Sequence, residues 1–166
     1  MILIGGPERV DIVIAEYDPR WPERYAVERE RIATALAENA MRIEHIGSTS
    51  VPGLGAKPIV DILVAVAHPD DEACHRGALE RAGYVLRVIE PGHRMYRTAE
   101  RDVHVHVWAD GTDDIVRHVA FRDLLRSSAD ARSTYEGVKR ELASRSWDDS
   151  NAYAEAKTQV IAQLLG

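Results

Sequence analysis

The residues best able to do chemistry gather in one stretch, Glu44 to Val66, which reads EHIGSTSVPGLGAKPIVDILVAV. Asp61 stands alone inside the apolar run from Ile59 to Val66. A carboxylate left unpaired in such a strand costs on the order of several kcal/mol, so it calls for a metal ion, a basic side chain or water at the strand's edge. Gly47-Ser48-Thr49-Ser50 reads as a tight turn that offers hydroxyls and backbone N–H groups, a composition able to cradle a phosphate. Ser48 and Thr49 suit contact better than attack, because no G-x-S-x-G elbow surrounds them and no base is placed to activate a hydroxyl. Lys57, just ahead of Pro58, is a candidate for neutralising that phosphate; its plainer reading is a solvated lysine leading into a strand.

A second set lies further on. In Asp102-Val103-His104-Val105-His106-Val107-Trp108 the valines alternate with His104 and His106, so the two imidazoles share one face of a strand. They fit either the solvated face of an amphipathic sheet or, with Asp61, a site for a divalent cation or the polar part of a substrate. His45 offers a further imidazole, and Glu44 points to the opposite face from it on a regular strand. Arg94 and Tyr96, on a predicted strand near the histidines, are candidates for the same cleft. Arg122 and Arg126 are four residues apart, as are Tyr135 and Lys139 and again Tyr153 and Lys157. Each pair shares a helix face. A ring beneath a base with lysine on its phosphate has this spacing, and so does a lysine stem covering a half-buried ring.

These residues need a scaffold, and the punctuation of the chain predicts one. A strand near Val10–Ala15 precedes a helix over Trp21–Glu38, with Pro22 in its first turn. Two strands flank the Gly-Ser turn. A helix over Pro69–Ala82 is marked by Asp70, Asp71 and Glu72 at its start and Gly83 after its end. Tyr84–Glu90 and Arg94–Thr98 pair around Pro91-Gly92, Asp102–Trp108 is a further strand, and beyond Asp110-Gly111 the chain is helical. Tyr153, Ala156, Val160 and Leu164 share a face of the last helix, a pattern expected of core packing. The fold class is α+β: a mixed sheet of five or six strands packed with helices, then a C-terminal helical segment. One domain spans 1–166, with 1–110 mainly sheet-forming and 111–166 helical.

Composition narrows the function classes. With 45% hydrophobic and 29% charged residues, the chain reads as globular. A net charge of −6 argues against broad nucleic-acid binding, which needs a concentrated basic surface. No apolar run is long enough for a membrane span and the N-terminus lacks the basic start of a signal peptide, so a cytoplasmic location is expected. The single Cys74 excludes an internal disulfide and a cysteine-rich zinc site.

The string HIGSTSVPGLGAKPIVDILV resembles the signature of the GrpB family, a branch of the nucleotidyltransferase superfamily. The resemblance runs from Tyr17-Asp18-Pro19-Arg20-Trp21 through His104-Val105-His106-Val107 to Phe121-Arg122-Asp123-Leu124-Leu125-Arg126 and the tyrosine-lysine helices, nearly the whole chain. It implies a nucleotidyltransferase-like sheet, a nucleotide or related phosphorylated ligand on Gly47, Ser48, Thr49 and Lys57, and ligand-facing roles for Arg122 and Lys157. It also implies a divalent metal (Mg, Mn or Zn) on Asp61. In the superfamily two acidic residues stand one apart on the strand after the turn; here that pair is Asp61 and Leu63, so the second carboxylate is missing. A third acidic position would fall within Asp102–His106, where the shared face carries histidines. One aspartate does not hold two Mg²⁺ tightly, and imidazole favours Zn²⁺ or Mn²⁺. Some members of the family are fused to dephospho-CoA kinase, which implies a CoA-related small molecule as an alternative ligand. The chain has no G-x-x-x-x-G-K-[ST] loop and is not itself such a kinase. Three functions are consistent with these residues: metal-dependent nucleotidyl transfer with Asp61 as catalytic metal ligand, a nucleotide-binding module without catalysis, and a His/Asp metal-dependent hydrolase. No organic cofactor is expected.

Overall fold

Alternation along the two central strands divides the molecule into a structural side and a chemical side. The computed structural model describes every residue except Val10, Asp148 and Asp149, and the backbone only of Ser150 and Asn151. Six strands form one sheet: β1 (Ile2–Leu3), β2 (Arg42–Ile46), β3 (Val60–Val66), β4 (Val85–Glu90), β5 (His93–Arg97) and β6 (Val103–Ala109). Their spatial order is β1-β4-β5-β6-β3-β2. β3 and β6 are parallel, in register from Val60 opposite Val103 to Val66 opposite Ala109, and the other pairings are antiparallel.

Val60, Ile62, Val64 and Val66 line up with Val103, Val105 and Val107 on one face, all buried. Helices α1 (Arg20–Leu36) and α2 (Arg76–Arg81) cover that face, burying Trp21, Ile32, Leu36 and Leu79 against the valines. This is the larger core. On the other face Leu63 and Ala65 pack with Ile46, Trp108 and Ile115 beneath α3 (Asp113–Ser127). Helices α4 (Ala129–Ala143) and α5 (Ser150–Leu165) complete that side, joining Val51, Leu54 and Leu125 to Val160, Ile161 and Leu164.

Two expected elements differ. Among the described residues of Val10–Ala15 there is no strand; Ala15 makes one bridge, exchanging hydrogen bonds of 2.8 and 2.9 Å with Ala56. Val10 lies outside the described residues. The first strand is instead Ile2–Leu3, at the edge beside β4. The helix expected over Pro69–Ala82 is broken into a 3₁₀ turn, Glu72–Cys74, and α2. The cause is His75, whose φ of −141° is incompatible with a continuous helix. Its buried ring is held there, with Nε2–H donating to the Pro69 carbonyl (2.9 Å) and Nδ1 accepting from the Tyr96 hydroxyl (2.9 Å).

Candidate functional site

The parallel register of β3 and β6 sets Asp61 beside His104, and alternation carries His106 to the same face. Asp61 Oδ1 lies 3.6 Å from His104 Nδ1 and 3.3 Å from His106 Nε2. One donor atom from each residue falls within 4.8 Å of the others. Burial works to raise the Asp61 carboxyl, but the close approach of His106 and the positive charge of the groups around it prevail and hold it at about 2. Burial pushes His104 down to about 4.

The Gly-Ser turn closes over this carboxylate. Gly47 has φ +71° and ψ −178°, a region open essentially to glycine alone. A Cβ there would also meet Asp61 Oδ2 at 2.8 Å. The following 3₁₀ turn, Ser48–Ser50, is pinned by its own side chains: Ser50 Oγ donates to the Gly47 carbonyl (2.5 Å) and Thr49 Oγ1 to the Ile59 carbonyl (3.1 Å). The Thr49 oxygen accepts from His45 Nε2–H at 3.0 Å. His45 itself stacks on Tyr25, with ring centroids 4.7 Å apart, and burial pushes it down to about 4.

In front of Asp61 opens a cavity of about 270 Å³. Gly47, Ser48 and Thr49 form one wall and Asp61, His104 and His106 the floor. Opposite stand three lysines, Lys57, Lys139 and Lys157, with the rings of Tyr135 and Tyr153. Lys139 is 1% exposed and donates to Ser48 Oγ (3.0 Å) and the Gly55 carbonyl (2.5 Å); its ammonium lies 4.9 Å from the Tyr135 ring centre. Burial, reinforced by Lys157, pushes it from 10.5 to about 7. Lys157 sits 4.6 Å and Lys57 5.4 Å from the Tyr153 ring centre. Burial and the charge of Lys57 push Lys157 down to about 8, and burial lowers Lys57 too. The Tyr153 hydroxyl is buried without a hydrogen-bond partner among the described residues.

Of the residues singled out from sequence, Gly47, Ser48, Thr49, Lys57, Asp61, His104, His106 and Lys157 line this cavity. Arg94, Tyr96 and Arg122 do not. On β5, Arg94 pairs with Val107 and Tyr96 with Val105, which turns both toward the α1 and α2 side. There Arg94 binds Asp70 (2.9 Å) and Glu72 (2.8 Å), and Tyr96 meets His75. Arg122 on α3 is held by Glu44 (2.6 Å), Asp123 (2.9 Å) and the His45 carbonyl (3.1 Å). The same contact occupies Glu44, and His45 points away from Asp61, so neither joins the Asp61 cluster. Sequence reasoning left Tyr135, Lys139 and Tyr153 between a base-and-phosphate contact and simple packing. The repeated Tyr-x-x-x-Lys spacing was the signal that marks them, since both pairs face the cavity.

The donor set decides which metal these residues fit. A tetrahedral ion with bonds near 2.0–2.2 Å separates its ligand atoms by about 3.3–3.6 Å. The 3.3 and 3.6 Å spacings around Asp61 Oδ1 match one such ion, and two imidazoles with one carboxylate suit Zn²⁺ or Mn²⁺. A pair of Mg²⁺ ions does not fit. Leu63, where the superfamily's second carboxylate would stand, is 0% exposed and sealed beneath α3.

A mixed sheet entered through a Gly-Ser turn, with the acidic residue on the next strand and helices behind, is a nucleotidyltransferase-like fold. Cid1 in complex with the UTP analog UMPNPP superposes with a TM-score of 0.53 over 80% of this chain and 41% of that one, at 12% identity, a likeness of fold alone. Within that class the chain belongs to the GrpB family, whose profile, described as GrpB protein, matches residues 11–166. A UPF0157 protein of Streptomyces coelicolor is 54% identical over 162 residues, 98% of this chain and 87% of its own length. The crystal structure of the conserved protein GrpB from Enterococcus faecalis superposes with a TM-score of 0.81 at 36% identity, covering 92% of this chain and 94% of that one. A dephospho-CoA kinase of Mycolicibacterium paratuberculosis is 28% identical over 90% of this chain but only 44% of its own length. Among the described residues no helix is long and apolar enough to cross a membrane.

Proposed function

We propose that the cavity binds the phosphates of a nucleotide or a related phosphorylated small molecule and, with one divalent cation on Asp61, His104 and His106, supports nucleotidyl transfer. The observation that carries this reading is the convergence of Lys57, Lys139 and Lys157 opposite the Asp61 cluster, in a chain whose net charge is −6. One buried and two half-buried ammonium groups repel one another, and an anion between them relieves that cost. The volume, about 270 Å³, falls just below the roughly 300–1,000 Å³ of sites that enclose whole ligands, which suits a phosphate chain with the rest of the molecule outside. Tyr153, buried and without a hydrogen-bond partner among the described residues, supplies a donor for the same ligand.

When bound, the cation would polarise a phosphoryl oxygen and offset charge on the attacking and leaving oxygens. The chain's own residues do the rest. The lysines stabilise charge that builds on the transferred group, the Gly47-Ser48 turn fixes its position, and Asp61 and the imidazoles orient one side of it.

A second reading, a binding module without turnover, is favoured by Leu63, which removes the usual second carboxylate. A third, metal-dependent hydrolysis, is favoured by the two histidines. The deciding experiment is the thermal unfolding midpoint with nucleotides and CoA-related compounds, with and without Mg²⁺, Mn²⁺ and Zn²⁺, for wild type and Asp61→Ala. A ligand at a hundredfold excess over its dissociation constant adds about 2.7 kcal/mol. A metal-dependent nucleotide shift lost in Asp61→Ala supports transfer and identifies the donor. A shift indifferent to metal and to Asp61 favours the binding module, and a response to Zn²⁺ or Mn²⁺ alone favours hydrolysis.

A further inference from the structure

The contact between Asp61 and His106 does not end at the cavity. His106 Nδ1 lies 3.1 Å from His93 Nε2, and His93 Nδ1 lies 2.8 Å from Glu90 Oε2. Register explains the line: on the β4–β5 hairpin Glu90 pairs with His93, which stands diagonal to His106 on the same face, opposite Trp108. The hairpin is held by Gly92, whose backbone N–H donates to Asp70 at 3.0 Å. The two imidazole planes differ by 9°, with ring centroids 5.4 Å apart. The Trp108 indole lies against both, at 4.7 and 5.2 Å between centroids.

Protons can be counted along this line of four groups. Both ends are carboxylates, which only accept, so each end calls for an N–H. The middle contact needs one as well, while an imidazole in its neutral form carries a single N–H, two for the pair. One contact must go without, and the distances say which. Those of 2.8 and 3.1 Å are ordinary hydrogen-bond lengths, whereas 3.3 Å between His106 Nε2 and Asp61 Oδ1 is long for a bond to a carboxylate, normally about 2.7–2.9 Å. It equals the ligand-to-ligand spacing of a tetrahedral ion.

We infer that Glu90 and His93 are positioning residues for the site: Glu90 holds His93 with its proton on Nδ1, His93 in turn holds the His106 proton on Nδ1, and the His106 Nε2 lone pair is left facing a cation beside Asp61. The part concerning the cation rests on the reading above; the proton positions do not. Outer partners of this kind commonly set ligand affinity by roughly 10- to 100-fold.

The test uses the full chain with ¹⁵N-labelled histidine. Two-bond ¹H–¹⁵N correlation spectra of metal-free protein identify which nitrogen of each ring is protonated, and calorimetric titration with Zn²⁺ measures affinity. Protons on Nδ1 of both His93 and His106 are expected, and a metal-free His106 protonated on Nε2 overturns the inference. Glu90→Ala, at a partly exposed position that leaves the core intact, should raise the Nε2-protonated fraction of His106 and weaken Zn²⁺ by roughly tenfold or more. His93→Phe keeps the stack on Trp108 but removes the acceptor and should weaken Zn²⁺ similarly, while His93→Gln, whose amide oxygen can take the place of Nε2, should recover part of the loss. Equal Zn²⁺ affinity in wild type, Glu90→Ala and His93→Phe also overturns the inference. Wild type that shows both Nδ1 protons but binds no Zn²⁺ retires the metal reading and leaves the positioning intact.

Discussion

Lys139→Met separates the cost of the buried ammonium from its use. In the folded protein burial moves Lys139 from 10.5 to about 7. Between those values the unfolded chain binds a proton that the folded chain does not, so wild-type stability rises with pH across this window, by about 1.4 kcal/mol per pH unit. Below pH 7 the ammonium carries its whole penalty, roughly 5 kcal/mol. Its hydrogen bonds to Ser48 and Gly55 return about 1 kcal/mol each, and removing them exposes a buried carbonyl to a loss of about 1–3 kcal/mol. These opposing effects leave Lys139→Met close to wild type in stability at pH 7. The pH dependence does not share that cancellation. The stability of wild type relative to Lys139→Met should climb by about 2.3 kcal/mol from pH 7 to pH 9, because methionine has no proton to lose and the folded-state lysine is already half deprotonated at pH 7. Urea unfolding of both proteins at pH 7, 8 and 9 measures it. Parallel stability curves would refute the assignment of a charge-penalised lysine at this position. The same variant should fail to bind inorganic tripolyphosphate, despite folding as well as wild type at pH 7.

Further outcomes follow from the same geometry. Tripolyphosphate should bind with proton uptake near pH 8, since Lys139 and Lys157 lie at about 7 and 8 and a bound anion raises both; calorimetry in buffers of different ionisation enthalpy reads the uptake, and affinity should fall by up to about tenfold per pH unit for each lysine involved as pH rises further. Gly47→Ala should cost at least about 1–3 kcal/mol from φ +71° alone, and because the new methyl meets Asp61 Oδ2, thermal unfolding should show ligand shifts lost along with stability. Arg122→Ala should destabilise by about 2–3 kcal/mol in urea, through the loss of its contacts with Glu44 and the His45 carbonyl, yet leave tripolyphosphate affinity unchanged.

The local pattern of the chain carried most of the scaffold. Period-two alternation in Val103–Trp108 and the apolar run around Asp61 located the two strands that form the floor of the cavity, and the mixed sheet has the expected helices around it. His75 shows where local signals mislead: acidic residues and Gly83 bracket a helix plausibly, but a buried hydrogen bond to Tyr96, twenty-one residues away, breaks it. Arg94 and Tyr96 were chosen for nearness in sequence to the histidines, and a strand places neighbours of different parity on opposite faces. Lys139 was hidden for another reason. A lysine at helical spacing from a tyrosine looks the same whether the pair meets solvent or a cavity, and only the approach of α4 to the Gly-Ser turn separates the cases. His93 likewise gains its meaning from a hairpin register that its own sequence neighbourhood does not specify.

Helix α5 supplies Tyr153 and Lys157 to the cavity, while its far half is anchored through Val160, Ile161 and Leu164. The helix is thus clamped at one end by apolar contact and set at the other against Lys57, a like charge. Any anion that enters joins the last helix of the chain to the turn between β2 and β3, more than a hundred residues earlier. Occupancy of the cavity and docking of α5 are then a single equilibrium seen from two ends: whatever free energy a ligand gains from Tyr153 and Lys157 is the free energy by which it resists the helix lifting away.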